Sequence, residues 1–129
     1  MKEEYTSERY QELRARTKDF GLRAIRLWQS LPEQTDAQII GKQLLRCATS
    51  VAANYRAACL AKSDKDLLHK LKTCQEEADE STLWIEYLIE ANIIPAQRLE
   101  SLLDESKQLT AIMTAATITI SRRLNNIHH

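Results

Sequence analysis

Residues 36–61 read DAQIIGKQLLRCATSVAANYRAACLA, and their apolar side chains recur as a helix requires. Ile40, Leu44, Cys47, Val51, Asn54 and Ala58 step alternately by four and three, which keeps one side of a helix toward a partner. Gly41, Leu45, Ala48, Ala52, Tyr55 and Cys59 repeat that spacing one position further on, so the helix carries a second stripe beside the first. A core-facing helix often buries a wide arc, and some of this width is expected within one chain. The small residues also let another backbone come close. We therefore expect part of the surplus, with Trp84, to pack against other copies of the chain.

The segments on either side carry the same pattern. Tyr10, Leu13, Thr17, Phe20, Ala24, Leu27 and Leu31 form a seam that starts after Thr6 or Ser7, either of which suits an N-cap, and stops at Pro32. Leu67, Leu71, Cys74, Ala78, Ser81, Ile85 and Leu88 form another, opened by Ser63 with Asp66 in a variant capping box. Asn92 suits a left-handed C-cap, Pro95 suits a first turn, and a last seam runs through Leu99, Leu102, Ser106, Leu109, Met113, Ala116 and Ile120. Four helices are predicted, over about 7–31, 36–61, 64–91 and 95–127, in a single domain. Each is roughly 40 to 50 Å long at 1.5 Å per residue, and the links between them are short. Short links favour an all-α, up-down-up-down antiparallel four-helix bundle.

Composition agrees with this reading. The 129 residues include only two Gly and two Pro, too few for a sheet-rich or loop-rich fold. No apolar run reaches the roughly 18 residues that a membrane span needs. Cys47, Cys59 and Cys74 fit neither a disulfide framework nor a C-x-x-C motif, and MKEEYTSERY has no apolar signal core. A soluble protein of the reducing cytoplasm is expected. The tail His128 and His129 reads equally as native or as a cloning remnant.

The 18 basic and 18 acidic residues cancel, but residues 1–31 hold seven Lys/Arg against five Asp/Glu while residues 63–94 hold three against eight. These opposed charges are expected to meet inside one subunit, the alternative being between subunits. In a hairpin of the second and third helices, residues whose numbers sum to about 125 share a level, which sets Arg46 opposite Glu77 and Glu80. Gln43, Arg46 and Ser50, with Asn54 along the same helix, and Glu77 and Glu80 are expected to form a structural polar network; an acid pair used for catalysis or metal is the alternative. Asp66-x-x-His69 is only half of a di-iron motif, and no Gly-rich phosphate loop is present, so no metal, cofactor or catalytic residue is expected. Arg9, Arg16 and Arg23 recur every seven residues and Arg26 adds to them, a row that either contacts phosphates or pairs locally through Glu12 with Arg16 and Asp19 with Arg23.

The segments GKQLLRCATSVAANYR at 41–56 and EEADESTLWIE at 76–86 resemble the bacterial four-helix-bundle family named for reading frames in intervening sequences of 23S ribosomal RNA genes. The likeness covers about residues 18–124. The family commonly has Glu where this chain has Ala57, so a polar contact made there is not carried over. The resemblance implies a bundle that assembles as a homo-oligomeric ring, typically a pentamer, without established enzymatic activity. A related branch, the accessory proteins of diversity-generating retroelements, is similar to basic-surfaced rings that bind nucleic acid and a reverse transcriptase. The expected function is thus a non-enzymatic, self-associating interaction scaffold whose main partner is itself. The alternative is an RNA- or DNA-binding accessory that uses Arg9, Arg16, Arg23 and Arg26.

Overall fold

The computed structural model describes residues 7–127 and contains, among them, four helices and no strand: α1 (Ser7–Ser30), α2 (Thr35–Cys59), α3 (Asp64–Glu90) and α4 (Ala96–Ile127). Thr6, His128 and His129 lie outside the described residues. Each break has a local cause. After α1, the Leu31 N–H donates back to the Trp28 carbonyl and Pro32 stops the helix. α2 starts at Thr35, one residue earlier than expected, after an N-cap Gln34 with extended backbone and no side-chain cap, and Asp36 accepts from the Ala37 N–H at 2.8 Å. The end of α2 falls short of residue 61 because the Leu60 and Ala61 N–H groups bond three residues back, to Ala57 and Ala58, and tighten the last turn.

Ser63 caps α3 by accepting from the Asp66 N–H at 3.1 Å, and Asp66 in return takes the Lys62 N–H at 3.4 Å. Asn92 has a φ of 59°, and beyond it the Ile93 and Ile94 N–H groups both reach the Leu88 carbonyl. That left-handed turn closes α3 and tucks the buried Ile94 into the core. Pro95 precedes α4 directly, and its carbonyl accepts from the Arg98 N–H.

All four helices supply the interior. One cluster joins Phe20, Leu44, Val51, Ile85, Leu88 and Leu109; the other, nearer the start of α1, joins Leu13, Tyr55, Leu71, Cys74, Met113 and Ile120. Helices adjacent in the chain pack most closely, and α1 meets α4 only sparsely. Cross-helix pairs are ordered. Cys47 meets Glu80 and Val51 meets Cys74 between α2 and α3; Thr82 meets Ser106 and Gln75 meets Thr117 between α3 and α4. As the number climbs on one helix it falls on its neighbour. Between α1 and α4 the thin contact leaves a groove of about 550 Å³, bordered by Leu13, Tyr55, Ile112 and Ala116.

Candidate functional site

The most concentrated polar chemistry lies where α2 and α3 meet. Arg46 Nη2 reaches Glu80 Oε2 at 2.6 Å and Nη1 reaches Glu77 Oε2 at 3.4 Å, while Gln43 Oε1 accepts from Nε and Nη2, each at 3.4 Å. Helical spacing explains the convergence: Gln43 is one turn before Arg46, and Glu77 and Glu80 are one turn apart on the edge of α3 that faces it. The Cys47 thiol, fully buried beneath, donates to Glu80 Oε2 at 2.7 Å and accepts from Arg46 Nη2 at 3.2 Å. Burial, reinforced by Glu80, pushes the Cys47 thiol up to about 12, so it stays protonated and is a poor nucleophile at neutral pH. The same thiol, followed by the Arg46 guanidinium, holds the Glu80 carboxyl below its usual range.

Ser50 and Asn54 are arranged differently. Asn54 Nδ2 donates to the Ser50 carbonyl at 2.9 Å, a bond within α2 and apart from the Arg46 cluster. Trp84 stands next to Glu80 on the edge toward α2. Its indole N–H is buried and makes no hydrogen bond among the described residues, although it is near enough to Glu80 to favour the charged carboxylate. The ring tilts against Tyr87, with centroids 5.6 Å apart. Asp66 pairs with Lys70 at 3.4 Å, and His69 is exposed; no group of three His, Cys, Asp or Glu is placed to hold a metal among the described residues.

The arginine row points elsewhere than expected. Arg16 forms a two-pronged bridge to Glu105 of α4, Nε to Oε2 at 3.1 Å and Nη2 to Oε1 at 2.6 Å, and also donates to Gln108. Arg23 donates to Ser101 at 2.8 Å, and Arg9 pairs with Glu12 at 2.9 Å. Glu12 therefore holds Arg9 rather than Arg16. Of the four arginines assigned to phosphate contact, Arg16 and Arg23 tie α1 to α4, Arg9 is half-buried beside its acid, and Arg26 stands exposed.

The second stripe of α2 divides in two. Gly41, Ala48 and Tyr55 are buried within the chain, so an intersubunit role for these three is corrected. The end of α1 lies over Gly41: a Cβ there would collide with Leu31 Cδ1 and press on the Trp28 ring. Leu45, Ala52, Cys59 and Trp84 are only half-covered. Reading the residues alone missed the groove between α1 and α4, whose α4 wall is Ala111, Ile112, Ala115, Ala116 and Thr119. The run of small residues in α4 was its signal.

Among the described residues, no helix is long and apolar enough to cross a membrane. No curated protein matches the chain. A solved structure, the 1.70 Å crystal structure of a protein with unknown function from the S23 ribosomal protein family of Bacteroides thetaiotaomicron VPI-5482, is 28% identical. It superposes with a TM-score of 0.77 over 84% of this chain and 96% of that one. The model of the 23S rRNA-intervening sequence protein family matches residues 9–115, a span that takes in the Arg46 cluster, both bridges from α1 to α4 and most of the core. The chain therefore belongs to the 23S rRNA-intervening sequence protein family.

Proposed function

We propose that this chain is a non-enzymatic, self-associating four-helix bundle that serves as an interaction scaffold in the cytoplasm. Its helices run up-down-up-down, each antiparallel to the next, a reading supported by the opposed numbering of the cross-helix pairs. The assembly is a homo-oligomeric ring, and a pentamer is the form that the family resemblance favours. The Arg46 cluster has a structural part in this reading: it locks the register of α2 against α3.

One observation carries the proposal. Large apolar side chains stand exposed on the helices: Ile39 at 58%, Tyr87 at 47%, Ile118 at 46%, Leu83 at 41% and Leu22 at 39%. A lone exposed Leu is ordinary, but Leu83 and Tyr87 on either side of the half-covered Trp84 in α3, and Leu22 next to Gly21 where α1 meets α2, repeat the exposure as a contact surface does. Sedimentation velocity tests it. A mass that is a multiple of 14.8 kDa is expected, five-fold for the pentamer. One ordered species at 14.8 kDa across micromolar concentrations would end the proposal.

A further inference from the structure

Three strips line the surface, two basic and one acidic, and those on α2 and α3 share one spacing with opposite charge. On α2, Lys42, Leu45, Thr49, Ala52 and Arg56 step by three and four; beside them on α1, Arg14, Lys18, Leu22 and Arg26 step by four. Gly21 joins the two strips, because a Cβ at that position would touch Thr49 at 3.6 Å. Neither strip contains an acid, and Arg14, Lys18, Arg26, Lys42 and Arg56 are all exposed. None of these five forms an ion pair within the described residues. On α3, Glu76, Asp79, Leu83, Glu86 and Glu90 repeat the steps of the α2 strip, with the exposed Tyr87 alongside. Lys72 stands one turn before this strip, and Lys107 of α4 lies next to Ser106, the partner of Thr82.

Both surfaces thus have an apolar centre and a charged border, the usual layout of a protein interface. They cannot satisfy each other within one molecule. The basic strips flank the seam between α1 and α2, whereas the acidic strip lies on the outer side of α3, away from the edge that Glu77 and Trp84 turn toward α2. Resting on the self-association proposed above, we infer that the basic α1–α2 surface of one copy docks on the acidic α3 surface of the next. Leu22, Leu45 and Ala52 then cover Leu83 and Tyr87, and the charges pair around them. Such a head-to-tail contact uses two different surfaces, so an open row of copies leaves one of each free at its ends, and the row closes as a ring where the rotation from copy to copy allows it and otherwise extends as a filament. Charge complementarity fixes the order of docking and makes it sensitive to salt.

The test uses two charge-reversed variants of the full chain, Lys42→Glu/Arg56→Glu and Asp79→Lys/Glu90→Lys. All four side chains are exposed, and circular dichroism verifies that the helices persist. Neutral versions, Lys42→Gln/Arg56→Gln and Asp79→Asn/Glu90→Gln, form a milder second pair. In sedimentation velocity each reversed variant alone is expected to dissociate, with the dissociation constant rising about tenfold or more. Mixing the two reversed variants restores a mass above that of the monomer, because each then meets an opposite surface. If the wild type is oligomeric and the reversed variants keep its mass, the surfaces assigned here are wrong while self-association stands. A monomeric wild type removes the self-association reading, and this inference with it. A monomeric wild type that retains a labelled single-stranded RNA through Lys42 and Arg56 assigns the basic surface to nucleic acid and overturns the docking.

Discussion

Two glycines sit inside helices, where each costs about 1 kcal/mol relative to Ala, and their surroundings separate them. At Gly21 a Cβ would meet Ala48 O and Thr49 Cα at 3.6 Å, ordinary contact, so Gly21→Ala is expected to stabilise the fold by up to about 1 kcal/mol. At Gly41 a Cβ would drive into the buried Leu31 and sit 3.0 Å from the Trp28 ring. Overpacking there outweighs the helix propensity gained, and Gly41→Ala should lose about 1 kcal/mol. Urea unfolding of the two variants must give opposite signs. Glu80 supplies a dependence on pH. Its folded pKa lies below the ordinary value, so its contribution is complete above the unfolded pKa, about 4.3, and fades as acid protonates the folded carboxylate. Because its side chain is 43% exposed, the effect is modest. Glu80→Gln should flatten the acid side of a stability–pH curve and leave the alkaline side unchanged.

At the scale of elements, α1 is held by α2 along its length and by α4 chiefly through the Arg16–Glu105 bridge. Arg16 and Glu105 have side-chain exposures of 28% and 16%, so solvent screens the bridge only in part. Replacing Glu105 with Gln is expected to cost about 1 to 2 kcal/mol. Amide exchange should quicken first in α1, and uniform quickening across all four helices would contradict this assignment. The existence of the helices, the Ser63 cap, the left-handed Asn92 and the levels of Arg46, Glu77 and Glu80 were legible in the sequence, because periodicity and hairpin geometry act between chain neighbours. The partners of Arg16 and Arg23 were not. Sequence spacing favours Glu12 with Arg16 and Asp19 with Arg23, pairs worth only a few tenths of a kcal/mol. The half-buried, two-pronged acceptor on α4 wins, and nothing local in α1 announces a helix almost ninety residues away. The double stripe of α2 misled for a related reason. Its width was visible, but which part α1 would cover depended on how closely Gly41 lets Trp28 and Leu31 approach.

Across the whole molecule, a formal net charge of zero conceals a division. Cations outside any ion pair of the described residues line the α1–α2 seam and acids line the outer side of α3, so the neutral chain is electrically lopsided at short range. The arrangement brings like charges of one copy together and keeps its opposite charges apart.

The thin seam between the first and last helices has a kinetic consequence. Nearly every packed pair of helices is also a pair of consecutive segments, so closing the core asks the polypeptide to form short loops and few distant ones. Such low contact order predicts rapid refolding, on the order of milliseconds or faster. Stopped-flow dilution from urea should show one fast exponential phase for the monomeric unit. With α1 joining through nearest-neighbour packing, its arrival need not limit that rate, and Glu105→Gln should speed unfolding far more than it slows refolding.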